Sequence, residues 1–401
     1  MKILVINCGS SSLKFQLLDI LRVEEDENLL VKGLIERIGQ EKSSADCTTS
    51  DGRSFSFEEK VPDHKSAIEA VFALLSRSGT LRDKAEIAGI GHRMVHGGEY
   101  FRESALIDDE VENAIEKCSE LAPLHNPHNL NGYRAARELL PDVPQVAVFD
   151  TAFHATLPEK AFLYAIPYEA YREDKVRRFG FHGTSHRYVS ERLAHIRGQA
   201  GRPSRVITCH LGNGCSMAAV ADGKSVETSM GFTPVEGLVM GTRPGDVDPG
   251  AVLYLLNRNG SDAAKVDRLL NHQSGLLGIS GSSNDMRDLL RKRGEGDHRA
   301  GLAVDMFCYR VRKYIGAYAA VLGGADALVF TGGIGENAAE VRREICRGLE
   351  FLGIGVDAEK NGGCRGREAD ISAEGSPCRV WVIPTNEELL IARDTVRCIG
   401  R

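Results

Sequence analysis

Several side chains stand where apolar, strand-like runs break off, places from which a group can reach solvent from a rigid base. Arg93 lies in "GHRMVHGG" and Arg243 in "GTRPGD", each beside glycines. A planar guanidinium can grip a carboxylate or a phosphate with two parallel hydrogen bonds, as a lysine cannot, although a surface salt bridge is the alternative for each. Arg287, in "DMRD", is a weaker candidate because the flanking aspartates can pair with it. His182 sits between Phe181 and Gly183 in "RRFGFHGTSHRYVS", and Thr184 or Ser185 is the expected cap of the helix that follows. Asp150 ends "QVAVFD", and Glu387 and Glu388 follow "VWVIPTN". Acids in such places could hold Mg2+, which takes one or two carboxylates when phosphates complete its shell, or could cap helices. No H-E-x-x-H, EF-hand loop or G-x-S-x-G elbow is present. The chemistry these residue types suit is the binding of a small anion.

Small-residue loops follow apolar strands in "NCGSSSLK" (7–14), "LGNGCS" (211–216) and "TGGIGEN" (331–337). Glycine permits close backbone approach, and exposed N–H groups with hydroxyls form nests for anions. Ordinary turns are the alternative for any one of them. The first loop is not a P-loop, because Leu13 and not glycine precedes Lys14. The third is expected to open a helix at about Glu336, whose N-terminus would favour a phosphate.

The elements that must carry these groups repeat. Residues 2–7, 15–20 and 29–38 read as strands, and "SFSFEEKV" alternates from Ser54. A helix from about His64 to Ser78 follows, with Ile68, Val71, Phe72, Leu74 and Leu75 on one face. Then come a strand at 87–95, helical stretches at about 108–122 and 129–140, and the buried strand "QVAVFD". The order begins again with "RVITCH", "MAAVAD", a tight turn at Asp222-Gly223 and "SVETSM". Helical segments over about 249–323, the strand "ALVF", a helix, the strand "RVWVIP" and the helical "NEELLIARDTVRC" complete it. Two β-β-β-then-α/β passages predict a duplicated α/β domain with a cleft between the copies.

Composition bounds the class. At 401 residues the chain is long enough for two domains, and 42% hydrophobic with 26% charged residues is globular. A net charge of −6 argues against broad nucleic-acid binding. No apolar run approaches the ~20 residues of a membrane span, and the amino-terminal run is too short for a secretory signal. The ten cysteines are scattered, without C-x-x-C or zinc spacing, so reduced thiols and a cytoplasmic location are expected.

Longer motifs make the pattern specific. "INCGSSSLKF", "GHRMVHGG", "PLHNPHN", "FDTAFHATLPEKAFLYAIPYE", "RRFGFHGTSHRYVS", "HLGNG", "TSMGFTPVEGLVMGTRPGDVDPG", "SGLLGISG", "FTGGIGEN" and "PTNEELLIA" appear in consistent order from Met1 to about Arg397. In these the chain resembles the acetate kinase family. The resemblance implies the acetate and sugar kinase/heat-shock/actin fold: duplicated β-β-β-α-β-α-β-α, ribonuclease H-like domains with an interdomain active-site cleft. It implies domains at 1–150 with 386–401 and at 151–385, the second carrying the nucleotide, and a homodimer. The implied reaction is reversible, Mg2+-dependent phosphoryl transfer from ATP to acetate, with Mn2+ able to stand in for Mg2+.

Roles follow residue by residue from the same resemblance. It places Asn7 and Glu387 at the metal and Ser10, Ser12 and Lys14 near the nucleotide phosphates. Arg93 and Arg243 would grip acetate and the transferring group, with Asp150 near the metal and nucleophile. His182 would contact the phosphoryl group in flight, with His125 nearby in a secondary role. Val95, Leu124, Phe181 and Pro234 would form the apolar pocket for the acetate methyl. His210, Leu211, Gly212, Asn213, Gly214, Asp285, Met286, Arg287, Gly333, Ile334, Gly335, Glu336 and Asn337 would form the nucleotide site. Departures are small: Cys215 where alanine is common, Met286 for a larger apolar residue, Pro244 for a serine, and a mildly different "GSSND". Segments 21–62 and 357–378 match least and are expected at the surface. Propionate kinase, and a non-enzymatic nucleotide switch of the actin kind, are the alternatives.

Overall fold

The strand Lys2–Cys8 (β1) sends alternate side chains to opposite faces, and both faces are buried. Leu4 and Ile6 pack with Ile68, Val71 and Leu74 of the helix His64–Arg77, while Ile3 and Val5 pack with Ile391 and Ala392 of the helix Glu387–Ile399. A strand covered on both sides reads as an unbroken apolar run, and this one does. The structure, a computed structural model, describes residues 1–23, 26–123, 125–198, 204–258 and 260–400. The chain divides into two compact units, Met1–Ala155 with Asn386–Arg401, and Thr156–Thr385.

In the first unit β1 is followed by Ser12–Arg22 (β2), Asp26–Glu36 (β3), Ser43–Thr49 (β4), Ser54–Glu59 (β5), Ile87–Met94 (β6), Ala105–Leu106 (β7) and Gln145–Phe149 (β8). They form one sheet in the order β5-β4-β3-β2-β1-β6-β8-β7. β1, β2 and β3 are antiparallel neighbours, whereas β1, β6 and β8 run parallel. The second unit holds Arg205–Leu211 (β9), Cys215–Ala221 (β10), Lys224–Thr228 (β11), Ala327–Thr331 (β12), Ala369–Asp370 (β13) and Arg379–Val382 (β14), in the order β11-β10-β9-β12-β14-β13. Here too the first three are antiparallel and β9, β12 and β14 parallel. Five strands of each sheet thus share one plan: third, second, first, fourth, fifth. The duplicated α/β reading is met by this repeated order.

Helices form where caps and apolar faces coincide. The helix His298–Leu322 starts on Asp297, whose carboxylate accepts from the N–H groups of Arg299 and Ala300, and stops at Gly323 with φ +67°. The β10–β11 turn has positive φ at both Asp222 and Gly223, as the sequence predicts. Among the described residues no helix is long and apolar enough to cross a membrane.

Some expectations change. The helix expected at Glu336 begins earlier, at Gly332, with Thr331 before it. Neither Thr184 nor Ser185 caps the helix Gly183–Ile196; the cap position is His182 itself, at φ +55°. The segments expected at the surface hold core residues: Val31, Ile35, Ala45 and Cys47 in β3 and β4, and Cys364 and Ile371 further on. Ser43, Ala45, Cys47 and Thr49 form the buried face of β4, a period-two pattern of small side chains that hydropathy does not reveal.

Candidate active site

In the first unit β6 delivers Arg93 to the end of β8, where Asp150 lies. Arg93 Nε donates to Asp150 Oδ1 at 3.1 Å and Nη2 to Oδ2 at 2.5 Å, a two-pronged pair with the carboxylate only 1% exposed. Arg93 Nη1 reaches Asn7 Oδ1 at 3.4 Å. Burial works against the charge on Arg93, but Asp150 and then Glu387 outweigh it and raise the guanidinium above its usual range. Beside it, burial and then the charge of Glu387 raise the carboxyl of Glu388, against Lys14 and Arg93. Asn7 pairs with Lys14 across the β1–β2 hairpin, closed by Gly9 N–H to Ser12 C=O at 2.8 Å, with Ser10 exposed at the tip. Lys14 and Glu388 both line a shallow hollow with Lys32 and Asp46.

The sequence gives no warning of what holds this corner. Asn126 and Asn129, both buried in the first turns of the helix Asn126–Leu139, use both ends of their amides. Asn126 accepts from His96 N–H and donates to His96 C=O, at 3.0 and 2.9 Å. Asn129 accepts from Val95 N–H at 3.1 Å and donates to Cys8 C=O at 2.7 Å, tying the ends of β6 and β1 together. A polar pair at i, i+3 behind Asn-Pro is the only trace of this in the sequence. Val95 is buried, His125 is exposed at the helix cap position, and Leu124 lies outside the described residues.

Asn7 and Glu387 offer hard oxygen donors, with Arg93 touching Asn7 and sensing the charge of Glu387. Among the described residues no three His, Cys, Asp or Glu side chains are grouped to hold a metal. One amide oxygen and one carboxylate fit Mg2+, which keeps waters and is completed by substrate phosphates, better than they fit an all-protein cage.

In the second unit a different arginine is treated differently. Arg243 donates from Nη1 to the carbonyl of Pro234 at 2.6 Å, and among the described residues no carboxylate pairs with it. Burial therefore lowers its pKa, opposed only by Cys215. A half-buried guanidinium with a carbonyl for partner attracts an anion. Gly214 makes room for this group: a Cβ there would lie 3.2 Å from Arg243 Nη2 and 3.4 Å from His182 Nε2. His182 Nδ1 is hydrogen-bonded to Ser216 Oγ at 2.8 Å, and its ring lies 4.3 Å from that of His210, whose Nδ1 meets Ser185 Oγ at 2.7 Å. The left-handed backbone of His182, uncommon outside glycine, is the kind of strain functional sites hold. Phe181 is buried beside it.

A cavity of about 920 Å³ in the same unit is lined by Gly212, Asn213, Asp285, Met286, Arg287, Gly333, Ile334 and Asn337, along with Asn284, Leu290, Ala338, Ala339, Glu340 and Arg365. That volume suits a nucleotide. Arg287 pairs with Asp285 at 2.6 Å, as its flanking acids suggest. Gly335 and Glu336 of the third loop do not line the cavity. Glu336 turns inward: its Oε1 accepts from Gly332 N–H at 2.9 Å, Thr385 N–H at 3.2 Å and Thr331 Oγ1 at 3.4 Å. Leu211 is fully buried, and Gly332 takes φ +75° with Leu211 C=O so close that a Cβ would lie 2.7 Å from it.

Beneath this loop lies Arg342, fully buried, donating to Asn361 Oδ1 and to the carbonyls of Gly335, Glu336, Asn361 and Cys364 at 2.8–3.0 Å. It shares the buried face of its helix with Val341 and Ile345, whereas the adjacent Arg343 is exposed.

The repeated strand plan, the glycine loops at the ends of its parallel strands and a nucleotide-sized cavity define a duplicated α/β fold with room for a nucleotide. The sequence matches the Acetokinase family over residues 2–393. The chain belongs to that family. It is 53% identical over 401 residues to an acetate kinase of Halothermothrix orenii, covering all of both chains. The structure is similar to the acetate kinase of Porphyromonas gingivalis, with a TM-score of 0.94, 46% identity and 99% of each chain covered. It is also similar to a propionate kinase of Francisella tularensis, with a TM-score of 0.91, 44% identity and 99% of each chain covered.

Proposed function

We propose that this chain transfers the γ-phosphoryl group of ATP reversibly to acetate, giving ADP and acetyl phosphate. The observation that most supports it is the convergence of Arg243 Nη2 and His182 Nε2 beside Gly214, with no carboxylate paired to Arg243 among the described residues. The cavity bordered by Gly212, Asn213, Gly333 and Asn337 is the proposed seat of the nucleotide, carried by the second unit.

Acetate is ionised at pH 7, since carboxyl pKa values lie near 4, so the nucleophile needs no general base. A carboxylate oxygen forms the new bond to the γ-phosphorus as the bond to the bridging oxygen breaks, and ADP leaves with that electron pair. No proton need move. What the protein must supply is in-line positioning and relief of charge repulsion in a loose transition state. Arg243, Arg93 and His182 are assigned that charge, His182 as a donor to the equatorial oxygens. Asp150 holds the Arg93 guanidinium in one orientation. Asn7 and Glu387 are assigned to Mg2+, which when bound neutralises phosphate charge. Ser10, Ser12 and Lys14, on the exposed β1–β2 turn, are assigned to phosphate contacts. Transfer is direct; a trapped phosphoryl group on Glu387 would overturn that.

Val95, Phe181 and Pro234 are assigned to the acyl group. The propionate kinase relative makes propionate the second reading, and one methylene in an apolar pocket changes selectivity by only about 1–3 kcal/mol. The deciding experiment is a coupled assay with each acid, ATP and Mg2+, with hydroxylamine trapping of acyl phosphate. A kcat/KM favouring acetate is expected. No acyl phosphate from either acid would refute the reading, as a nucleotide switch would predict. His182→Ala should lower kcat; a raised KM for acetate with kcat intact would remove His182 from the transition state.

A further inference from the structure

Behind His182 runs a line of fully buried polar side chains: Ser216, His186 and Thr208 are each 0% exposed. His182 Nδ1 lies 2.8 Å from Ser216 Oγ, the same Oγ lies 2.8 Å from His186 Nε2, and His186 Nδ1 lies 2.7 Å from Thr208 Oγ1. Each imidazole in such a line can carry its hydrogen on either nitrogen, and each hydroxyl has one hydrogen to give, so a run of single donations in one direction satisfies every member.

Thr208 fixes the direction. Its hydroxyl either gives its hydrogen to His186 Nδ1 at 2.7 Å, or gives it to the carbonyl of Ala218 at 3.4 Å and accepts from His186 Nδ1–H. An O–H···O bond is ordinarily 2.5–3.0 Å long, about 0.4 Å shorter than the second contact, so the hydrogen goes to His186. His186 Nδ1 is then bare and its hydrogen sits on Nε2, donated to Ser216. Ser216 gives its own hydrogen to His182 Nδ1, which leaves the His182 hydrogen on Nε2, the nitrogen facing Gly214 and Arg243.

We propose that Thr208, His186 and Ser216 are positioning residues that hold His182 as the neutral Nε2–H tautomer, so that the ring meets the transferring phosphoryl group as a hydrogen-bond donor. The proposal rests on the role assigned to His182 above, but the tautomer is testable in the free protein. That separates its failure from failure of the kinase reading, which would show as absence of acyl phosphate.

The experiment is two-bond 1H–15N spectroscopy of 15N-histidine-labelled full-length protein, with His182→Gln to assign the signal, alongside steady-state kinetics of Thr208→Val and Thr208→Ser. In the wild type, protonated Nε2 and bare Nδ1 are expected for His182. Thr208→Val should mix the two tautomers and lower kcat at least about tenfold, with both KM values within about twofold, by loss of a preorganised donor. Thr208→Ser should restore spectrum and kcat. A wild-type His182 protonated on Nδ1 overturns the proposal even if Thr208→Val does not fold. So does a Thr208→Val protein with the wild-type spectrum and turnover.

Discussion

Gly214→Ala separates the geometry of the site from the stability of the protein. The new Cβ would meet Arg243 Nη2 at 3.2 Å, His182 Cε1 at 3.3 Å and His182 Nε2 at 3.4 Å. Comfortable contacts of this kind begin near 3.6 Å, so the guanidinium must retreat by about 0.4 Å and the imidazole by about 0.2–0.3 Å. A misplacement of about 1 Å in a reacting constellation costs on the order of 10² in rate, and a few tenths of an ångström costs a corresponding fraction of that on a logarithmic scale. The expected loss is therefore about five- to tenfold in kcat, or about 1 kcal/mol of transition-state stabilisation.

Stability should not follow. Gly214 does not occupy the left-handed region, so alanine fits its backbone, and the lost freedom of the unfolded chain favours the folded one by about 0.4–1 kcal/mol. The nucleotide cavity is lined by Gly212 and Asn213 but not Gly214, so KM for ATP should change little. Steady-state kinetics and a thermal melt decide the matter. Turnover within twofold of wild type would refute the convergence of His182 and Arg243 on this point. A large fall in melting temperature accompanying the loss would show that packing, and not the site, had been disturbed.

Arg243→Ala should lower kcat on the order of 10³ or more, by analogy with arginine-finger losses, without destabilising the fold, since it removes a half-buried cation that lacks a carboxylate partner among the described residues. Arg93→Ala should lower activity and stability together, because it strands the buried carboxylate of Asp150; parallel melts of the two variants check this. Arg342→Met should destabilise by about 3 kcal/mol or more, read by urea unfolding, because buried carbonyls lose a charged donor. His92, fully buried, is pushed down to about 4 by burial, against its bond to Gln145. Between its unfolded value and 4 the unfolded chain binds a proton that the folded chain refuses, so stability falls as pH drops, by up to about 3 kcal/mol. Melting temperature should fall from pH 7 to pH 4.5, and less steeply in His92→Gln.

The parts of this protein legible in its sequence are those where backbone geometry restricts the residue. Gly332, at φ +75° against the Leu211 carbonyl, and the apolar run of β1 announce a loop and a strand because few other residues fit there. The direction a polar side chain takes is not written in the same way. Glu336 stands in a loop that borders the cavity, yet its carboxylate closes on the N–H groups of Gly332 and Thr385, the latter 49 residues away. Arg342 and Arg343 are adjacent and alike, and only packing buries the first. β4 escapes notice because serine, alanine, cysteine and threonine face its core. Arg93 and Arg243 look equivalent in sequence, each an arginine among glycines. The fold separates them: Arg93 is balanced by Asp150, whereas Arg243 is left to a carbonyl with His182 nearby. A balanced arginine is held in place before substrate arrives, and an unbalanced one draws negative charge toward itself.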